Sequence, residues 1–212
     1  MPSDGTAAGR GAGAASRPAK ARTLSRGFYR RDSRVVAVEL LNKVLLADDG
    51  RSGRIVETEA YCGAFDPAAH AYRGKTRRNA TMFGRPGLLY VYFSYGMHWC
   101  CNAVCGEVDE GVAVLLRALA PLTGIEAMRA ARPGVRRDRD LCSGPARLTQ
   151  ALGITGVHDG IDLVTGNGGF RIVDDGISPP AEPVVSGRVG ISRAVDEPWR
   201  WYVAGDPNVS RR

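Results

Sequence analysis

The sequence has few lysines, an odd number of cysteines and no long apolar run, and each shortage excludes a class of protein. Of its 29 basic residues only Lys20, Lys43 and Lys75 are lysines, and none stands in an apolar motif. A desolvated lysine that could form a Schiff base is therefore not expected. No apolar run reaches the roughly 18 residues that span a bilayer. We expect a soluble, cytoplasmic protein without a membrane partner.

The five cysteines give no framework for a disulfide-bonded or zinc-binding protein. Cys100, Cys101 and Cys105 follow neither spacing, so we expect reduced, buried thiols and no metal site. With 212 residues and 44% hydrophobic content, the chain can form one well-buried core. Residues 1–21 are rich in Ala, Gly and Arg and cannot bury enough apolar surface to fold. We predict a disordered basic tail there and a single domain over residues 22–212.

Charge is distributed unevenly along the chain. The net charge is +7, but residues 1–31 hold seven basic residues and one acid, so the remainder is close to neutral. Residues 67–106 contain no acid, and their basic residues are Arg73, Lys75, Arg77, Arg78 and Arg85. The same window holds Tyr90, Tyr92 and Tyr95. Basic groups interleaved with aromatic rings are typical of nucleic-acid binding; a solvated basic loop and strand packing are the alternatives.

The pattern of elements predicts an α+β fold, with a curved, largely antiparallel sheet and flanking helices in one mixed domain. Asp32 is placed to cap a helix, and the segments 43–47 and 53–61 form a natural hairpin. We also expect a very short helix starting at Asp66 and Pro67 that delivers His70. Thr123 and Glu126 match a capping box for a further helix. The segment 187–192 has the composition of a strand.

The segment VETEAY places two carboxylates and a ring on one face of a strand. Side chains alternate along a strand, so Glu57, Glu59 and Tyr61 point the same way, as do Tyr90 and Tyr92 on the strand LLYVYFS. If the two strands lie close in the sheet, a carboxylate would form the floor of a slot with tyrosine walls. A pair of surface glutamates is the alternative.

Five longer segments, GRIVETEAYCG, AAHAYRGKTRRNATMF, GLLYVYFSYGMHWCCN, VLLRALAPLTGIEAMR and DLCSGPARLTQALGI, resemble the alkyladenine (3-methyladenine) DNA glycosylase family of base-excision repair. The likeness runs from about residue 24 to about residue 210. It implies one mixed α/β domain, no metal and no redox cofactor. It also implies hydrolysis of the N-glycosidic bond of damaged purines in double-stranded DNA, by a protein that we expect to be a monomer.

The resemblance implies specific roles for the residues of the predicted slot. Glu59 would be the general base that activates a water, and the backbone of Arg117 would help to hold that water. Tyr61 and Tyr92 would stack on the two faces of an extruded base. His70 would close the edge of the pocket and bind the base or its sugar.

Further roles concern selectivity and contact with DNA. Asn102 would exclude normal guanine by crowding its exocyclic amino group. Tyr95 would fill the hole that the extruded base leaves in the duplex, and Met97 and His98 would line the minor groove beside it. Arg73, Lys75, Arg77 and Arg78 would contact DNA. Tyr90 is then the tyrosine expected to be structural.

The residues leave some alternatives open. Glu57 could be a second catalytic carboxylate, as in sugar hydrolases, although a structural role is preferred. A non-catalytic module that binds damaged DNA would use the same tyrosines and arginines but has no need of Glu59. A nucleoside or glycoside hydrolase would need both glutamates but not the acid-free basic window. The scarcity of lysine favours a monofunctional enzyme, and the range of damaged bases that it accepts is not encoded in any single motif.

Overall fold

The computed structural model describes residues 21–210, so the predicted disordered tail lies outside the described residues except for Ala21. The strands are β1 (Arg22–Thr23), β2 (Val44–Ala47), β3 (Ser52–Cys62), β4 (Leu89–Ser94), β5 (His98–Cys105), β6 (Val112–Thr123), β7 (Phe170–Asp174), β8 (Val184–Ser186) and β9 (Arg200–Tyr202). The helices are α1 (Arg26–Tyr29), α2 (Ser33–Leu40), α3 (Ile125–Ala131) and α4 (Pro145–Leu152).

All strand pairs are antiparallel and belong to one sheet, which confirms the predicted α+β class. The main order is β1-β7-β2-β3-β6-β5-β4, and β9 pairs with both β3 and β8. The predicted hairpin of β2 and β3 is present, with Val44 opposite Arg54. Register shifts interrupt the β3–β6 pairing near Gly53 and Glu57. Such bulges bend strands and increase their twist, so they help the sheet to curl.

The helices cover one face of the sheet and enclose the main core. Helix α2 begins after Asp32, whose carboxylate accepts a hydrogen bond from the Arg34 backbone N–H at 2.8 Å, as predicted for an N-cap. Helix α4 begins with Pro145 and ends at Gly153 in a left-handed conformation. The core contains side chains from α2, α4 and strands β2 to β7.

Three local predictions were wrong. Residues 66–70 form turns rather than a short helix: the Asp66 side chain accepts the Ala68 amide and the Asp66 carbonyl accepts the Ala69 amide, which are bonds of single turns. Helix α3 exists, but its N-cap is Gly124 at φ +69°, and Thr123 hydrogen bonds to the Gly50 carbonyl instead of forming a capping box. Residues 187–192 form a loop, and the strand in that region is β8, which precedes it.

Three other features bear on the predicted class of protein. All five cysteines are free thiols, and Cys62 is the only one that is not fully buried. Within residues 21–210, no helix is long and apolar enough to cross a membrane. Across the same residues, no three His, Cys, Asp or Glu side chains cluster in a way that could hold a metal ion.

Candidate active site

One row of paired residues crosses four strands and defines the functional face of the sheet. Glu59 on β3 lies opposite Leu115 on β6, which lies opposite Asn102 on β5, which lies opposite Tyr90 on β4. Residues opposite one another in a sheet have side chains on the same face. The predicted slot requires β3 and β4 to lie close together. They do not pair, because β6 and β5 lie between them in the sheet, so the curvature of the sheet brings them to one cavity.

This face forms a cavity of about 550 Å³. Its lining includes Tyr61, His70, Tyr92, Asn102 and Arg117, five residues that the sequence assigned to the site. Tyr61 and Tyr92 therefore lie on the same side of the sheet. The remaining lining residues include Arg73, Arg78, Met82, Tyr90, Tyr95, Cys100 and Leu115, together with residues 189–193. Sequence positions far apart in the chain are thus brought together around one opening.

Glu59 lies beneath this cavity with 0% of its surface exposed, so the alternative of a solvent-facing glutamate is excluded. Its Oε1 accepts a hydrogen bond from the Val189 backbone N–H at 2.7 Å and lies 3.2 Å from Nη1 of Arg117. Its Oε2 accepts a hydrogen bond from the Tyr61 hydroxyl at 3.0 Å. All three partners line the cavity, so they separate the carboxylate from the open space.

The environment of Glu59 makes it a stronger base than an ordinary glutamate. Burial raises its pKa above the usual value, and the nearby charge of Glu57 adds to that rise. Arg117, the Val189 amide and the Tyr61 hydroxyl oppose the rise by stabilising the ionised form. A general base works best when its pKa approaches the working pH. The site therefore combines a raised pKa with donors that keep the carboxylate ionised.

Glu57 lies on the same face but is fully engaged by the protein. Its Oε1 accepts hydrogen bonds from Nε of Arg117 and Nε of Arg200, each at 2.7 Å, and from the Ser210 hydroxyl at 2.9 Å. Its Oε2 accepts one from the Ser210 backbone N–H at 2.7 Å. Burial alone would raise the pKa of Glu57, but Arg117, the Ser210 amide and Arg200 lower it. These contacts support the structural alternative for Glu57.

Aromatic rings support the Tyr92 side of the cavity. The rings of Tyr90 and Tyr92 stack at 5.4 Å, and the His70 ring meets Tyr92 edge-on at 4.5 Å. The Tyr90 hydroxyl lies 3.1 Å from Nδ1 of His70, and Tyr90 is only 1% exposed. Partial burial, followed by the charge of Arg78, lowers the pKa of His70 and favours its neutral form. Tyr90 thus orients the two residues that face the cavity, consistent with its predicted structural role.

The turn between β4 and β5 projects Tyr95 from the mouth of the cavity. Tyr95 has φ +51° and is followed by Gly96 at φ +66°, as in the tight turns of two-residue hairpins. A left-handed conformation is uncommon for an aromatic residue and costs energy, which is a frequent mark of functional positions. Tyr95 is 80% exposed, and Met97 and His98 beside it are exposed as well.

The predicted basic residues occupy different positions. Arg73 and Arg78 line the cavity mouth, and Arg78 donates a hydrogen bond to the Phe93 carbonyl at 2.9 Å. Lys75 forms an exposed ion pair with Asp109 at 3.1 Å, and Arg77 is exposed away from the cavity lining. The buried side chain of Asn79 organises this segment by binding the carbonyls of His70 and Gly74. The part of the basic window that contains residues 70–79 is therefore an ordered loop.

Comparison with known proteins gives this arrangement a family. The profile of the family described as "Methylpurine-DNA glycosylase (MPG)" matches residues 27–207, which is most of the chain. The chain belongs to this family. The match includes every cavity residue named above and confirms the resemblance that the sequence motifs indicated. Methylpurine-DNA glycosylases are hydrolases of N-glycosyl bonds in base-excision repair, so the predicted class of enzyme is confirmed.

Several relatives in the methylpurine-DNA glycosylase family are close in sequence. A protein of Burkholderia lata is 64% identical over 187 residues, covering 88% of this chain and 90% of its own. Proteins of Koribacter versatilis and Rhodopseudomonas palustris are 48% and 47% identical and cover 88% and 89% of this chain, and 92% and 90% of their own. All three carry the name "Putative 3-methyladenine DNA glycosylase".

The loop of residues 187–193 is the part of this glycosylase site that sequence reasoning missed. Its Val189 binds Glu59, and the Gly190 carbonyl accepts a hydrogen bond from the Tyr95 hydroxyl at 3.1 Å. Residues 189–193 also form one side of the cavity. The glycines at 187 and 190 were the available signal, because Gly190 has φ +77° and interrupts what looked like a strand.

Proposed function

We propose that the protein is a monofunctional glycosylase that flips alkylated purines of the 3-methyladenine class out of duplex DNA and hydrolyses their N-glycosidic bond. One observation carries the proposal. The buried carboxylate of Glu59 lies directly beneath the floor of a cavity, whose lining includes its partners Tyr61 and Arg117 as well as Tyr92. A base inside a duplex cannot be reached by such a carboxylate, so it must first enter the cavity.

The walls of the cavity suit a planar, electron-poor base. Extrusion costs a few kcal/mol, and stacking on an aromatic ring contributes about 1–3 kcal/mol per base. A cationic base, such as an N-alkylated purine, gains roughly a further 0.5–2 kcal/mol against an electron-rich ring. Tyr92 is backed by the Tyr90 ring and met by the edge of His70, so it offers a rigid surface. Asn102 lies in the adjacent lining, where it would limit exocyclic groups.

The floor supplies the chemistry. The resemblance implies that the Arg117 backbone helps to hold the attacking water. Such a water would lie next to Glu59, because the side chains of Arg117 and Tyr61 contact that carboxylate and both residues line the cavity. As the water attacks the sugar carbon, the bond from that carbon to the purine nitrogen breaks, the base leaves with the bonding electrons, and Glu59 would accept the proton of the water. Before that proton transfer, the ionised Glu59 carboxylate would stabilise the positive charge that develops on the sugar. Positioned proton transfer typically contributes about 10² to 10⁴ in rate.

A covalent step through lysine is not needed. Lys43 is more buried than the sequence suggested, but it pairs with Asp174 at 2.9 Å and lies outside the cavity lining. Lys75 is exposed and paired with Asp109, and Lys20 lies outside the described residues. The abasic strand should therefore stay intact after base release. We also propose, as the resemblance implies, a monomer that acts on cytoplasmic duplex DNA.

The decisive experiment uses duplex DNA with one alkylated adenine at a known position. Wild type and Glu39→Gln, a change in an exposed ion pair on α2, should release the base, whereas Glu59→Gln should lose about 10²- to 10⁴-fold in rate. Binding without release by wild type would identify a damage-binding module instead. Release from free nucleosides alone would identify a nucleoside hydrolase, and strand nicking without alkali would contradict monofunctional chemistry.

A further inference from the structure

The loop of residues 187–193 contains an arginine that is charged and yet fully enclosed. The Arg188 guanidinium lies between the rings of Tyr61 and Trp199, with its Cζ 4.8 and 5.0 Å from their centroids. It forms a two-pronged ion pair with Asp66, Nη1 to Oδ2 at 2.5 Å and Nη2 to Oδ1 at 2.8 Å. Both side chains are 0% exposed.

Asp66 connects this pair to the turn that carries His70. Its Oδ1 also accepts a hydrogen bond from the Ala68 backbone N–H at 3.0 Å, and its Oδ2 accepts one from the Cys62 backbone N–H at 3.2 Å. Arg188 Nη1 additionally donates to the Ala60 carbonyl at 3.0 Å, at the end of β3 next to Tyr61. One guanidinium therefore joins the end of β3, the turn before His70 and its own loop.

The residues that follow Arg188 contact the floor and the mouth of the cavity. The Val189 N–H binds Oε1 of Glu59, and the Gly190 carbonyl binds the Tyr95 hydroxyl. Because these residues are consecutive, the Arg188 ion pair anchors the loop immediately before both contacts. A loop without regular secondary structure has few other restraints on its position.

We propose that Arg188 is a positioning residue of the glycosylase reaction. It acts through the loop, by holding the Val189 amide on Glu59 and the Tyr61 ring against the cavity. The inference rests on the proposed function. A buried ion pair is weak as a source of stability because desolvation offsets its attraction, but a group displaced by about 1 Å can lower a rate by about 10²-fold. The chemistry of the pair thus fits a geometric role.

Arginine is required for this geometry. A lysine has one compact ammonium group and cannot make the two-pronged contact with Asp66 while stacking between two rings. We therefore expect Arg188→Lys to keep part of the contribution that Arg188 makes to the rate of base release, and Arg188→Met to lose all of it. The matched control is Arg54→Met, because Arg54 makes a similar two-pronged pair with Asp175 far from the cavity lining.

The test measures the pH profile of base release under single-turnover conditions, together with the melting temperature of each variant. Groups that face Glu59 are Arg117, Glu57, Tyr61, Cys100 and Arg188, in addition to the Val189 amide. Loss of the amide hydrogen bond removes a donor that favours ionised Glu59. The acid limb of the profile should move to higher pH in Arg188→Met, and the rate at pH 7 should fall roughly 10- to 100-fold.

Arg54→Met should lower the melting temperature and keep the wild-type pH profile. The proposal is overturned if the Arg188 variants match this control, with lower stability but an unshifted profile. If Arg188→Met does not fold, Arg188→Lys and Asp66→Asn decide the question by the same two measurements. Failure of wild type to release the base would instead overturn the proposed function, so the two failures are distinguishable.

Discussion

The floor and the mouth of the cavity solve different physical problems. At the floor, Glu57, Glu59 and Arg117 are buried, and each is bound by other protein groups before any substrate arrives. At the mouth, Tyr95 and Met97 are exposed, and Tyr95 is tied to the protein by one hydrogen bond. Charges act strongly where water is excluded and need to be fixed in advance. The exposed side chains at the mouth stabilise the complex only when the duplex covers them.

The two glutamates of the floor show the same contrast on a smaller scale. Glu57 is held by two arginines and both donor groups of Ser210, and its pKa is lowered. Glu59 has a raised pKa, and its partners line the cavity. The two carboxylates on one strand face therefore differ in their donors and in the effect of burial, which predicts a structural role for Glu57 and a catalytic one for Glu59.

Replacing Glu57 should give the largest effect on stability. Glu57→Gln removes the anion that Arg117 and Arg200 share, so each buried guanidinium loses one charged partner, although Arg117 keeps its contact with Glu59 at 3.2 Å. Breaking a buried ion pair on one side typically costs about 3–5 kcal/mol. Urea unfolding of wild type and variant at pH 7 measures the loss.

The control for this prediction is Glu39→Gln on α2. Glu39 pairs with Arg31, but both side chains are about 40% exposed, so the change should cost no more than about 1 kcal/mol. A Glu57→Gln protein as stable as this control would contradict the structural role of Glu57 and reopen a catalytic one.

The rate of base release should depend on pH through Glu59. Its pKa is raised, chiefly by burial, so the loss of activity on acidification should begin at a higher pH than for an ordinary glutamate. Below that pKa the rate should fall up to about tenfold per pH unit, because only the ionised form accepts a proton. Single-turnover rates from pH 8 downward, with circular dichroism at each pH, measure this.

Glu57 should affect the stability of the fold at a lower pH than Glu59 affects the rate. Its lowered pKa means that its stabilising effect is present above the pKa of an unfolded glutamate and is lost as the pH falls through its folded value. Activity should therefore decline while the fold is intact. Simultaneous loss of rate and circular dichroism would contradict the assignment of the acid limb to Glu59.

The sequence predicted which side chains share a face of a strand better than it predicted which strands are neighbours in the sheet. Alternation placed Glu57, Glu59 and Tyr61 on one face, and Tyr90 with Tyr92 on another strand, which the cavity and the Tyr90–Tyr92 stack confirm. Pairing depends on contacts between distant segments, so the two strands that lie between β3 and β4 could not be deduced from either strand.

The conformation of the loop of residues 187–193 could not be predicted from local sequence patterns, for a related reason. Its conformation depends on Asp66 and Glu59, which lie more than 120 residues earlier in the chain. A buried arginine in a segment of Gly, Val and Ile has no periodic signature. The Glu59 carboxylate, the Tyr61 ring and Arg117 were predictable, whereas the Val189 amide and the Arg188 side chain that hold them were not.

At the mouth, Tyr95→Ala should weaken binding to damaged duplex by roughly tenfold, because the exposed ring would no longer fill the space that the flipped base leaves. Activity on single-stranded DNA should fall less, since that substrate has no paired stack to be filled. Phe65→Ala, which removes another exposed ring outside the cavity lining, is the matched control for loss of surface area. Equal losses on both substrates would contradict the predicted role of Tyr95.

The smallest expected effect distinguishes two basic residues of the mouth. Arg73 lines the cavity, whereas the charge of Lys75 is already offset by Asp109 at 3.1 Å. Removing one cation that neutralises a phosphate should reduce the slope of log binding constant against log salt by about 0.9. We therefore expect Arg73→Ala to lower the slope by close to this amount and Lys75→Ala to lower it less. Fluorescence anisotropy with undamaged duplex between 50 and 200 mM salt measures both slopes. Equal slopes for the two variants would mean that the Lys75–Asp109 ion pair breaks when DNA binds, so that Lys75 neutralises a phosphate as Arg73 does.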